Sequence, residues 1–190
     1  MPPPFFQQKQ WQPFTTGGVT YTFDHLAEFA FNIVDSAGNN RKIAVSYSDH
    51  VFTRDGTAGE DASNMFPGCS REYGIICPER YSLSLELKSH IEHASKGDVW
   101  IVDGDTRYAH MPIITCEGKQ HLAAIVFSLE RVRGLPLDIH MRVRSAHLCD
   151  WKVPATFGSV KFKHLVRRTV EGKPPPKRYD RDRKQPKKPR

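Results

Sequence analysis

The sequence predicts an α+β fold: a mainly antiparallel β-sheet of about six to seven strands with one principal helix packed against it. Short apolar runs alternating with period two recur on both sides of a single stretch of helical spacing. Turn-forming residues punctuate those runs. The chain of 190 residues, 38% hydrophobic with a mean hydropathy of -0.54, is long enough for one core and too short for two ordinary ones.

The elements follow in order. Residues 1–18 read as a Pro-rich, disordered extension, with the first ordered element near Val19 and a single domain over 19–170. Phe29, Phe31 and Ile33 alternate with Ala30 and Asn32, and Ile43, Val45 and Tyr47 alternate with Ala44 and Ser46. The intervening DSAGNNR is rich in turn formers, so the two runs form a hairpin. Residues 53–75 show no sustained period and read as a long loop. Pro78 suits a first helical turn, Leu83, Leu87, Ile91 and Ala94 share one face, and Gly97 stops the helix. Strands are then expected at 98–103, 106–115, 120–130, 137–148 and 157–170.

Charge is segregated. Nine of the 28 Lys/Arg and two of the 21 Asp/Glu lie between Lys173 and Arg190, which leaves 19 of each sign in the first 172 residues. The whole excess of +7 therefore lies in residues 173–190, within the tail taken as 171–190, and the pI near 9.3 reflects that appendage. That tail holds five prolines after Gly172 and no aliphatic side chain, so it is expected to be disordered. Lys177, Arg178, Arg181, Arg183, Lys184, Lys187, Lys188 and Arg190 are the expected nucleic-acid contacts, with RNA favoured, because such charges release counterions from phosphates. A solubility tail, a localisation signal or a protein partner accounts for the same charge. No run of 18 apolar residues occurs, so no membrane span is expected. No secretory pattern opens the sequence, so a cytoplasmic location with reduced thiols is the expectation.

Three segments carry candidate chemistry. SYSDHVFTRD places His50 next to Asp49 where a strand enters the long loop, with Arg54 four residues on; a histidine beside a carboxylate suits general acid–base work. CPERY puts Arg80 in the first turn of the helix, where a cation opposes the helix dipole and an anionic partner relieves it. HMRVRSAHLCD places Ser145 and His147, by strict alternation, in line with Met141 and Val143 on the apolar face. Arg142 and Arg144 face the other way as candidate nucleic-acid contacts. Each segment also has a plain structural reading, as a strand end, a capped helix or a strand leaving the core. Cys69 and Cys77 are too far apart for a structural zinc pair, no Gly-rich phosphate loop occurs, and Asp103, Asp105 and Asp138 make no two-metal set. No metal or cofactor is therefore expected.

The VRSAH pattern resembles the final strand of the barnase/EndoU/colicin/RelE-like ribonuclease superfamily, in which an apolar strand ends in Ser or Thr followed by Ala and an aromatic or His. The order of helix and then antiparallel meander is similar too. The resemblance implies a metal-independent, toxin-like RNA endonuclease with Ser145 and His147 in the final-strand positions. His50 or Arg80 would complete the site, and in a ribonuclease of that kind Arg54 or Arg80 would stabilise the charged transition state. The hairpin before the helix departs from that family's pattern. SDHVFTR, CPERY and SAHLCD together also resemble bacterial mobile-element proteins of no assigned activity, which keeps a non-catalytic accessory protein of phage or plasmid origin as the alternative.

Overall fold

The computed structural model describes residues 5–6, 10–57, 59–67, 69–70, 73–102, 107–116, 118–149 and 156–174. In chain order the elements are β1 (Phe14–Thr16), β2 (Val19–Tyr21), β3 (Phe29–Val34), β4 (Asn40–Tyr47), β5 (Thr53–Asp55), β6 (Gly74–Ile76), α1 (Pro78–Ser84) and α2 (Leu87–Lys96). They continue as β7 (Asp98–Val102), β8 (Arg107–His110), β9 (Ile113–Cys116), β10 (Lys119–Arg131), β11 (Ile139–Cys149), β12 (Thr156–Lys161) and α3 (Phe162–Val170). The class is the expected one, α+β with a mainly antiparallel sheet. The main sheet runs β12-β7-β8-β10-β11-β4-β3, with β9 also on β10. No helix among the described residues is long and apolar enough to cross a membrane.

The β3–β4 hairpin forms as its alternation requires, Phe29 opposite Val45 and Phe31 opposite Ile43. Its turn is organised by buried Asp35, whose carboxylate accepts from the Ala37 and Asn39 amides and from Arg41. Burial opposes ionisation there, but those donors outweigh it and pull the carboxyl down to about 2. Arg41 also bridges to Asp138, which takes the Lys42 amide. This clamp brings the start of β11 alongside β4, and the two strands pair in parallel, Ile139 opposite Ile43 and Val143 opposite Tyr47. All other strand pairs are antiparallel.

Five expectations are revised. The stretch 53–75 is not all loop: β5 and β6 pair across it, Thr53 opposite Ile76 and Asp55 opposite Gly74. Order begins before Val19: β1 and β2 form a ribbon across Gly17 and Gly18, both at positive φ as a tight hairpin turn requires, and Trp11 packs on the core. The helix is two helices. Buried Ser84 bonds back to the Tyr81 carbonyl at 2.6 Å, which competes with helical pairing, and Leu85 turns outward before α2 restarts. The run 106–115 divides into β8 and β9 because Pro112 has no amide for the ladder. The end of the run 157–170 is helix, not strand: Phe162, Leu165 and Val166 bury one face of α3 at spacings of three and four.

α2 and α3 cover one face of the sheet, contributing Leu87, Ile91, Ala94, Phe162, Leu165 and Val166 to one core with Ile43, Val45, Phe127, Met141 and Val143. Beside it, Phe23, Phe52, Phe66 and Trp11 form an aromatic cluster with centroids 4.5 to 6.2 Å apart. Phe52 is fully buried there, which anchors the chain as it leaves β4. The opposite face of the sheet is polar at β10 and β11 apart from a small patch of Leu122, Ala124 and Cys149.

Candidate functional site

The candidate site grows from the end of β4. Ser48 donates its amide to Val143 (2.9 Å) and its hydroxyl to the Arg144 carbonyl (2.6 Å), tying the chain to the middle of β11. A 3₁₀ turn over Asp49–Val51 follows, with Val51 and Asp49 buried and His50 facing outward. The Asp49 carboxylate accepts from the Cys69 thiol (2.6 Å), the Ser70 amide (2.6 Å) and the Ser70 hydroxyl (2.7 Å). Burial disfavours its charge, yet these donors and the neighbouring His50 hold it below the usual carboxylate range. His50 Nε2 lies 3.3 Å from Ser70 Oγ and 4.0 Å from Asp49. Ser70 has one proton and gives it to Asp49, so the His50 ring donates to Ser70. Asp49 thus orients His50 through Ser70 and not by the direct contact their adjacency suggests.

Arg80 extends from the first turn of α1 across this turn. Its Nη1 donates to the Thr53 carbonyl (2.7 Å) and the His50 carbonyl (3.3 Å). α1 starts here because Pro78 occupies the first turn and the Cys77 amide is held by Phe52 at 2.9 Å.

His147 comes from β11, and the strand reaches it through a β-bulge. Val126 of β10 pairs with Ser145 while Phe127 pairs with Val143, so Arg144 is the extra residue. Strict alternation placed Ser145 and His147 on the apolar face. The bulge reverses that: Ala146 is the fully buried residue, and Ser145 and His147 share the polar face with Arg142 and His140. The His147 ring is half-buried, its Nδ1 buried without a hydrogen-bond partner. Burial first, and then the charge of Arg80, lower its pKa, so the ring is neutral near pH 7.

Arg80 thus meets the backbone carbonyl of His50, and its charge acts on His147. Arg54 is engaged elsewhere: both its terminal nitrogens meet Glu60, which also takes the Thr57 amide, so the pair staples the loop. Arg142 is exposed opposite Ser128, and Arg144 reaches the Ser128 hydroxyl at 3.4 Å. Lys177, Arg178, Arg181, Arg183, Lys184, Lys187, Lys188 and Arg190 lie outside the described residues. Cys69, Ser70 and Ser48 are the site residues that sequence reading missed. Among the described residues no three His, Cys, Asp or Glu side chains are placed to hold a metal ion.

The YjaZ family model matches residues 13–170. The chain belongs to the YjaZ family. The matched span of this YjaZ-family chain starts one residue before β1 and ends with α3, so every element that builds the site lies within it, and the basic tail does not. No curated protein and no solved structure matches the chain.

Proposed function

We propose that this chain is a nucleic-acid-interacting protein that cleaves RNA without a metal ion. His147 removes the proton of a ribose 2′-hydroxyl, the 2′-oxygen attacks phosphorus, and the bond to the 5′-oxygen breaks as His50 gives that oxygen a proton. The products are a 2′,3′-cyclic phosphate and a 5′-hydroxyl. Arg80 supplies positive charge to the phosphorane.

The observation that most supports this reading is the contrast between two histidines around one arginine. His147 is kept neutral by burial first and then by Arg80, as a base must be before it takes a proton. His50 is placed differently: it faces outward, with the Asp49 carboxylate 4.0 Å from its Nε2 and Ser70 Oγ at 3.3 Å. Two titratable groups in opposed environments divide the acid and base roles. Ser145, on the same face as His147, orients the phosphate. The tail, Arg142 and Arg144 retain the polyanion.

The test is cleavage of a labelled RNA in EDTA by the wild type, His50→Ala and His147→Ala. The wild type should leave cyclic phosphate ends, and each variant should lose about 10²–10⁴ in rate. Loss of cleavage on chelation, free 3′-hydroxyl products, or a His147→Ala rate equal to wild type would each defeat the proposal. Binding that survives both substitutions and disappears on removal of residues 173–190, with no cleavage by any form, favours the non-catalytic accessory reading instead.

A further inference from the structure

The polar face of the sheet holds an aromatic contact that the proposed chemistry does not use. Strand registers align Ala30, Ala44, His140 and Glu130 in one row across β3, β4, β11 and β10. Their neighbours Val45, Met141 and Leu129 point into the core, so the row lies on the face away from α2 and α3. Ala30 and Ala44 put no long side chain beside the His140 ring, and Ala44 is fully buried.

That ring is fixed in plane by Ser46, whose Oγ lies 2.6 Å from Nε2. The Phe6 ring lies flat on it, centroids 3.8 Å apart and planes 16° from parallel. The Phe6 amide reaches Glu28 at 3.3 Å, and Lys42 sits 5.2 Å above the Phe5 ring. The chain's own aromatic residue thus occupies a flat, pre-oriented slot.

We propose that this slot is a base-stacking platform for single-stranded RNA, which enters by displacing Phe5–Phe6 and leads the strand along β11 to the candidate site. Three observations choose the ligand. A planar ring already stacks there, and every base offers such a face. Cations adjoin the slot: Lys42 in the next row on one side, and exposed Arg142 and then Arg144 on the other. Glu130 lies in the row itself and Glu28 lies at the β3 edge of the Arg142 row, so phosphates are directed to Arg142 and away from that edge. Finally, the bulge brings Ser145 and His147 onto this same face, seven residues from His140 to His147. At about 3.3 Å per residue the track is roughly 23 Å long, suited to an extended strand and too long for one nucleotide.

The platform rests on the proposal that RNA is the substrate, and the experiment separates the two. A fluorescent 2′-O-methyl oligouridylate, which cannot be cleaved through its 2′-oxygen, is titrated into the full chain at about 0.3 M salt, where the tail's grip is screened. Phe5→Ala/Phe6→Ala should bind it several-fold more tightly. His140→Ala should bind it roughly fivefold or more weakly, and His140→Phe, which keeps a stacking face, should recover affinity. Unchanged binding in the first two variants while wild type still cleaves RNA rejects the platform and spares the nuclease. The predicted shifts without any RNA cleavage reject the nuclease and keep the platform. Tighter binding of an acidic, aromatic peptide than of the oligonucleotide overturns the choice of RNA.

Discussion

Asp49 is the buried carboxylate around which the candidate site is arranged, and the Cys69 thiol is one of the donors that keep it ionised. Cys69 can lie there because Gly74 has no side chain: a Cβ on Gly74 would stand 1.9 Å from Cys69 Sγ and 2.7 Å from its Cβ. Neither sulfur nor backbone has room to absorb that overlap. Gly74→Ala should therefore lower unfolding free energy by about 1–3 kcal/mol in urea titration and reduce RNA cleavage by loosening Ser70 and His50. A variant with wild-type stability would contradict the packing. His147 gives a second residue-level prediction, with a definite sign. Its pKa is lowered by burial first and by Arg80 second. A base acts when deprotonated, so the acid limb of the rate–pH profile should fall below the ordinary histidine value of about 6.5. Arg80→Gln removes one cause, and the limb should move to higher pH as well as the rate falling; an unmoved limb would separate Arg80 from His147. His50, Arg80 and His147 were legible in the sequence because each is a polar, titratable type at the end of an apolar pattern. Cys69 and Ser70 were not, since their partner Asp49 lies twenty residues away across a loop with no periodic signal.

At the scale of elements, what the sequence shows well is repeated period and what it hides is a single extra residue. The β3–β4 hairpin could be read because alternation and turn chemistry agree. α3 could not, because Val160, Phe162, His164 and Val166 alternate as a strand would, while Phe162, Leu165 and Val166 also make a helical stripe; core packing decides between them. The bulge in β11 is the most consequential case. Nothing in VRSAH marks Arg144 as extra, yet that residue moves Ser145 and His147 from the apolar face to the polar one. A deletion tests this directly. Without Arg144, Val143 still faces in, Ser145 still faces out and Ala146 still faces in. Deleting Arg144 should leave a cooperative thermal transition, while cleavage falls because Ser48 loses the carbonyl that it holds at 2.6 Å. Deleting Arg142 instead turns Val143 outward and should abolish cooperative folding. Equal tolerance of the two deletions would mean that the bulge is not where alternation breaks.

Across the whole molecule, shape and charge are divided. The family match and the folded elements end together at Val170, and the net charge of +7 resides in the residues that follow Gly172. A body with 19 residues of each sign has little long-range field to hold a polyanion. Among the described residues its polar face carries scattered cations, Lys42, Arg107, Arg142 and Arg144, with Glu28 and Glu130 beside them. Affinity for RNA should then depend on salt mainly through the tail. Each cation that meets a single-stranded phosphate adds about 0.7 to the magnitude of the slope of log affinity against log salt, so nine engaged residues give a slope near −6. Removing residues 173–190 should flatten that slope toward the small value owed to the sheet face and weaken binding most at low salt. The melting temperature should change little, because the side-chain contacts removed, Lys173 with Glu171 and Arg168 with the Pro174 carbonyl, are exposed ones at the end of α3. On the proposed division of roles, in which the tail holds RNA and the histidines react, the same truncation should raise KM for RNA and leave kcat nearly unchanged. A steep slope that persists after truncation would place the electrostatic grip on the sheet, and equal losses of kcat and affinity would place the tail at the reacting phosphate.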